Sequence, residues 1–330
     1  MLQLHNSTPF AASMALFPDE KAVDTLYLMV RATFNIGAQW TLAEEQLPPL
    51  ESDEYWGEPG ESSVKYGSDY HLGKRCSDII MLGDAHAPDG KEVSELDVSL
   101  SIGQTKKYIR IFGDREWQDG RISTAQPFTT MPLIYEKAFG GAHIIDDVIA
   151  TADERNPVGC GFSGERKVEE MDGELLPNLE DPSDLITQFD QQPLPACFGA
   201  VASHWSSRSQ YAGTYDELWQ TSRAPYLPLD FDKRFFNAAH PDLIYPGFLK
   251  GGEPVSITHM HPAGTINFEL PYIKLSAEAS VAGEVRRPAF NLETLVIEPN
   301  QLKLGMVWRA AVACDKQALK IGDVKIDMTR

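Results

Sequence analysis

The sequence predicts a mainly β fold, with β-sandwich-like or barrel-like sheets at both ends of the chain. An irregular, Pro- and Gly-rich middle with a few short helices separates them. Three observations lead there. Segments near both ends alternate apolar and polar side chains, the period of half-buried strands. The 22 prolines and 25 glycines interrupt the chain too often for long helices. Strand and helix patterns do not alternate regularly, which argues against a doubly wound sheet.

Residues 23–36 place Leu26, Leu28, Val30, Ala32 and Phe34 on alternate positions, with Asp24, Arg31 and Thr33 between them. This predicts a long strand with one buried face. Residues 38–75 are acidic and rich in Pro, Gly and Tyr, and read as irregular; Ile79–Leu82 reads as a short strand. Two alternating runs in 96–112 flank Gly103-Gln104-Thr105-Lys106 and predict a hairpin. In 128–141, Pro132 suits the first turn of a short helix and Gly140-Gly141 its end. Residues 145–195 hold many turn signals and are too long for an ordinary loop. Thr214 or Asp216 suits the cap of a short helix through Trp219, and another turn is expected near Lys233–Ala238. From Val255 onward, five runs show strand patterning.

The formal net charge of −19 is concentrated. Residues 41–100 hold 14 acids and 4 bases, and residues 145–192 hold 13 acids and 3 bases, so the rest of the chain is nearly neutral. That disfavours nucleic acid as a partner, because phosphate binding needs clustered Lys and Arg. It suits two solvated loops, or a basic protein partner. No apolar run is long enough to span a membrane, and the N-terminal residues lack the basic start of a signal peptide. The Asn6-Ser7-Thr8 sequon then reads as chance. Cys76, Cys160, Cys197 and Cys314 lie far apart, make no CxxC pair and read as reduced thiols.

The richest segment is Trp205–Asn237, in which eight of 33 residues are aromatic against 10% for the chain. Charges of both signs stand between the rings, as in polar-aromatic corners and recognition surfaces. Within it, Asp230 and Asp232 are two residues apart and can share a face, as an acid-base pair or a cation site. Arg208, Arg223 and Arg234 lie close in sequence, and an Arg-carboxylate network explains the pair without a reaction. His259 and His261 would share one face of a strand, and with His240 or Glu253 nearby could form a metal site; ordinary hydrogen bonding is the default. Gly159–Gly164 matches GxGxxG, but it follows Asn156-Pro157-Val158 and precedes an acidic stretch, so it reads as a loop with special backbone angles. No GxSxG, HExxH, Walker or CxxC motif is present.

Short motifs recur in a specific order. They are Asp78 before Ile79–Gly83, G-D-R-x-W at Gly113–Trp117, F-x-x-M-P-L at Phe128–Leu133 and E-K-A-F-G-G at Glu136–Gly141. N-P-x-G-x-G at Asn156–Gly161 and L-P-N-L-E at Leu176–Glu180 follow. Then come W-x-x-R at Trp205–Arg208, G-T-Y-D-x-x-W at Gly213–Trp219 and P-x-L-P-x-D-F-D-x-R-F-F-N-A at Pro225–Ala238. Together they resemble a bacterial family long known as a domain of unknown function, whose members serve as effector adaptors or chaperones of type VI secretion. One departure is Arg75-Cys76-Ser77, where the family pattern carries Lys-Pro.

The resemblance runs from about residue 20 to 315 and implies a single family domain over 1–330, within which the β-rich ends allow sub-lobes 1–144 and 195–330 joined by the acidic segment 145–194. It implies a non-catalytic cytoplasmic protein without cofactor or metal. Its expected partners are an effector toxin, often with a PAAR-containing region, and the VgrG spike, with neither nucleic acid nor membrane. The alternatives are a hydrolase-like or metal-dependent enzyme using Asp230/Asp232 or His259/His261, and a structural component of a larger assembly. Trp205, Arg208, Tyr215, Trp219, Asp230, Asp232, Arg234 and Phe235 are the candidates for partner binding or for architecture.

Overall fold

In the computed structural model, residues 2–329 are described, the side chain of Thr329 excepted. Strands hold 41% of the residues and helices 11%, so the fold is mainly β, and among the described residues no sheet closes into a barrel. The principal strands are β1 (Gln3–Asn6), β2 (Ala11–Pro18), β3 (Asp24–Asn35), β4 (Asp78–Met81), β5 (Glu95–Ile102), β6 (Thr105–Phe112) and β7 (Leu179–Glu180). After the irregular middle come β8 (Pro254–Thr258), β9 (Thr265–Glu269), β10 (Lys274–Val281), β11 (Glu284–Arg286), β12 (Asn291–Glu298), β13 (Lys303–Ala313) and β14 (Ile321–Thr329).

The largest sheet has the order β2-β3-β13-β12-β4, and the short strand Thr41–Leu42 pairs with the end of β3. A five-stranded sheet follows the order β7-β6-β5-β8-β9, and a four-stranded one β1-β14-β10-β11. Within the largest sheet two C-terminal strands, β13 and β12, lie between N-terminal strands, and β1 runs parallel to β14. Leu26, Leu28 and Val30 of β3 share one continuous core with Val98 and Leu100 of β5, Ile109 of β6 and Ile326 of β14.

The long strand departs from its expected form: β3 is buried on both faces. Its second face carries Tyr27 and Met29, which pack with Leu72 under Leu227, Phe231 and Phe236. Arg31 and Thr33 continue that face and are buried too. A buried guanidinium needs a counter-charge, and Asp69 stands 3.4 Å from Arg31. The sheet therefore has a cover, which is the Trp205–Asn237 segment.

The hairpin forms as expected, with Ile102 opposite Thr105 and Gly103-Gln104 as the two-residue turn. The helix expected to open at Pro132 does not. Thr130–Pro132 is a short strand paired with Asp84–His86, and a single 3-10 turn follows at Tyr135–Lys137. Met131 is drawn into the core, and Pro132 ends the strand, where its missing N–H does no harm. The His259-Met260-His261 strand is also corrected. β8 ends at Thr258, and His259 takes a left-handed φ of 58°, so the period-2 face is lost.

Candidate functional site

The two ends of the Trp205–Asn237 segment are buried against the large sheet and its flanks. Trp205 is almost fully buried, edge-on to Tyr135 with ring centroids 5.0 Å apart. It opens the short helix α1 (Ser206–Ser209), which carries Arg208. Arg208 donates from Nε to the Phe235 carbonyl at 2.9 Å and from Nη1 to the Val201 carbonyl at 2.7 Å. Its guanidinium also lies 5.4 Å from the Phe235 ring centre. Burial pulls its pKa down, and Asp78 and Asp53 work against that pull.

At the other end, Phe231, Phe235 and Phe236 form a triangle with centroids 5.4–5.7 Å apart. Phe236 stacks on His71 at 5.2 Å. The terminal staple is Asp78 of β4, which is fully buried. It accepts from Lys74 Nζ at 2.7 Å, from Asn237 Nδ2 at 2.8 Å and from the Ala238 amide at 2.7 Å. Three donors meet the hydrogen-bonding demand of the buried side chain. Glu293 is held in the same way by Arg309 Nε at 2.8 Å and by the Lys74 amide at 3.1 Å.

The middle of the segment is different. Gly213 turns with φ +82°, and a side chain there would meet Asp230 Oδ1 and Pro228 Cβ at 2.9 Å. The closed turn lets Thr214 donate its amide and hydroxyl to the Asp230 carboxylate at 3.0 and 2.7 Å, which lowers the Asp230 pKa. Asp216 caps α2 (Glu217–Ser222) by accepting from the Trp219 amide at 2.8 Å. Tyr215 lies edge-on to Trp219, and the Trp219 indole donates to the Tyr226 carbonyl at 2.8 Å. Arg223 fastens the unit to the body through the Glu20 carbonyl at 2.9 Å. Several large apolar side chains remain outward among the exposed polar ones: Tyr215 is 53% exposed, Leu218 71%, Tyr226 41% and Leu229 86%.

Asp230 and Asp232 do not act on a common point. Asp230 is engaged by Thr214. Asp232 accepts from the Arg234 amide and Nε, both at 2.9 Å, and stands 3.4 Å from Arg75. The Arg234 side chain is the first cause of its lowered pKa. Arg234 in turn lies 4.2 Å from the Tyr211 ring centre. The histidines are separate as well. His259 Nδ1 faces the Asp97 carbonyl at 3.0 Å, and His261 Nδ1 accepts from the Ala263 amide at 3.0 Å. His240 is buried beside Lys107 and Asp242 instead.

The other motifs meet in pairs. Arg115 of G-D-R-x-W bonds to Glu180 and to the Pro177 carbonyl, both in L-P-N-L-E. Asp114 accepts from Asn178 of the same run at 2.9 Å. Asn156 of N-P-x-G-x-G donates to the carbonyls of Tyr135 and Phe139 at 2.8 and 2.9 Å. The GxGxxG match belongs to this contact. Cys160-Gly161 pairs parallel to Phe139-Gly140, and a side chain at Gly161 would meet Pro177 at 2.8 Å. Its glycines serve close backbone approach. Sequence reasoning missed the buried charges Arg31, Lys74, Asp69, Glu293 and Arg309: Asp69 lies 38 residues from Arg31 and Glu293 16 from Arg309, although Asp78 follows Lys74 by only four. It also missed Leu218 and Leu229, for which the available signal was two leucines in a polar run.

The fold and this segment define a multi-sheet β protein closed by a charged, aromatic cover. A protein-family model matches residues 21–309, and the chain belongs to that family, described as an uncharacterized protein conserved in bacteria (DUF2169). Neither the curated proteins nor the solved structures contain a match. No helix among the described residues is long and apolar enough to cross a membrane.

Proposed function

We propose that this chain is a non-catalytic, cytoplasmic adaptor that binds a type VI secretion effector and helps load it onto the VgrG/PAAR spike. The motif order read from the sequence supports this reading. One structural observation carries it furthest: the outward apolar face of Tyr215, Leu218, Tyr226 and Leu229. Leu218 and Leu229 line one shallow hollow, and exposed leucine and aromatic side chains are the makings of an interface core. Asp216 and Asp230 line the same hollow against the single cation Arg223, so the segment it receives is apolar with a basic border. A second apolar outcrop, Ile144, Ile145, Val148 and Ile149 on the hairpin Ala142–Ala152, offers a further contact.

The test is co-purification with the effector encoded beside this gene. The L218D/L229D double variant should stay folded and lose the effector. Undiminished capture by a folded double variant would sink this placement of the interface. Absence of any complex with the wild-type chain would sink the adaptor reading itself.

A further inference from the structure

The cover does not fill the space above the large sheet. A cavity of about 150 Å³ remains between the sheet, α1 and the Lys65–His71 stretch. Its floor runs across three strands in direct register, from Arg31 on β3 through Val307 on β13 to Thr294 on β12. Ile80 and Val296, also in register, add an apolar patch, and Phe235 contributes a ring.

Four cations line this cavity, Arg31, Lys65, Lys74 and Arg208, against two carboxylates, Asp53 and Asp69. Asp69 answers Arg31 at 3.4 Å, and Asp78, outside the lining, answers Lys74 at 2.7 Å. Asp53 accepts from the Ser68 amide at 2.7 Å. The balance is one net positive charge, in a chain with 48 acids and 29 bases. The surplus rests on Arg208 and Lys65. Both hydrogen bonds of Arg208 go to neutral carbonyls, which orient the guanidinium, while Asp78 and Asp53 act on it without a hydrogen bond. Lys65 is half-buried at the rim, 4.9 Å from the Trp56 ring centre.

We propose that this cavity binds a single carboxylate group, carried by a small free acid or by the end of a polypeptide. A held guanidinium is the preferred partner of a carboxylate. The net charge matches a monoanion, whereas a phosphate at neutral pH brings more. A cavity of about 150 Å³ takes up a benzene-sized molecule, so this one suits a carboxylate with two or three methylenes and falls short of the roughly 300 Å³ or more of pockets for larger ligands such as a nucleotide. Ile80, Val296 and Phe235 supply the apolar wall for that stem. This inference stands apart from the adaptor reading.

The test is calorimetry on the full-length protein. Its probes are butyrate, neutral butyramide, inorganic phosphate, and an acetylated tripeptide with a free or an amidated C-terminus. Butyrate or the free-ended peptide should bind with a Kd of about 1 mM or tighter, and butyramide and the amidated peptide should not. Arg208→Gln should abolish binding. Because Arg208 also ties two loops, Lys65→Glu at the rim is the second variant, and it should weaken binding about tenfold or more without unfolding the protein. The free-ended peptide binding more tightly than butyrate points to a chain end, and the reverse points to a free acid. No binding by either acid at about 20 mM, equal binding of butyramide, unchanged affinity in folded Lys65→Glu, or tighter binding of phosphate overturns the proposal.

Discussion

The two ends and the middle of Trp205–Asn237 have similar composition and opposite placement. At the ends, Trp205, Arg208, Phe235, Phe236 and Asn237 turn inward; Arg208 reaches the Val201 and Phe235 carbonyls, and Asn237 reaches Asp78 and the Cys76 carbonyl far away in sequence. In the middle, Thr214–Asp230, the hydrogen bonds are almost all local, and the apolar side chains turn outward. Ring content alone therefore does not separate scaffold from surface. What separates them is where the polar groups find partners: remote partners mark the part that holds the fold, and local ones leave the apolar side chains free to meet something else.

The sharpest test of this contrast is Asp78→Ala. It leaves the buried Lys74 without its counter-charge and removes the acceptor of Asn237 and Ala238. A loss of about 3–5 kcal/mol is expected in denaturant unfolding, and a loss below about 1 kcal/mol would show that the staple is unimportant. Trp205→Ala should cost about 3–5 kcal/mol as a core cavity, read the same way. The pH dependence comes next. Burial, then Arg309, Lys74 and Arg208, push His71 well below its usual value, so it stays neutral in the fold. The unfolded chain takes up that proton near pH 6.5 and the fold does not, so stability is full above that pH and declines as pH falls below it. Replacing His71 with Gln should flatten the profile between about pH 7 and 5; an unchanged slope would assign the loss to other groups.

Smaller effects belong to the middle. Asp230→Asn removes an exposed charge but keeps an acceptor for Thr214, and should shift stability by less than about 1 kcal/mol. Unfolding of that variant would move the middle into the scaffold and erase the contrast. The L218D/L229D double variant should lie within about 0.5 kcal/mol of wild type at each site, by thermal melting, while losing the effector.

How much of this was legible can be followed residue by residue. The β5–β6 hairpin was readable because its alternation and its turn residues are neighbours. The Asp216 cap and the turn at Lys233–Phe236 were readable for the same reason. β3 was read with one buried face because Arg31 and Thr33 look like solvent residues until Asp69 and Gln46 are beside them. Pro132 matched a helix start locally, and the pull of Met131 into the core overrode it. His259 and His261 matched a strand pair, and a left-handed residue broke the period.

The amino-acid order by itself determined the local periods, the turns and caps, and hence a mainly β fold with a dense aromatic and charged segment. Only the tertiary structure decided that β1 pairs with β14, that Asp78 meets Asn237, and which leucines remain in solvent. The reason is physical. A local conformation depends on a few neighbouring residues, whereas burying a charge is tolerable only where chain closure brings its partner within hydrogen-bond reach.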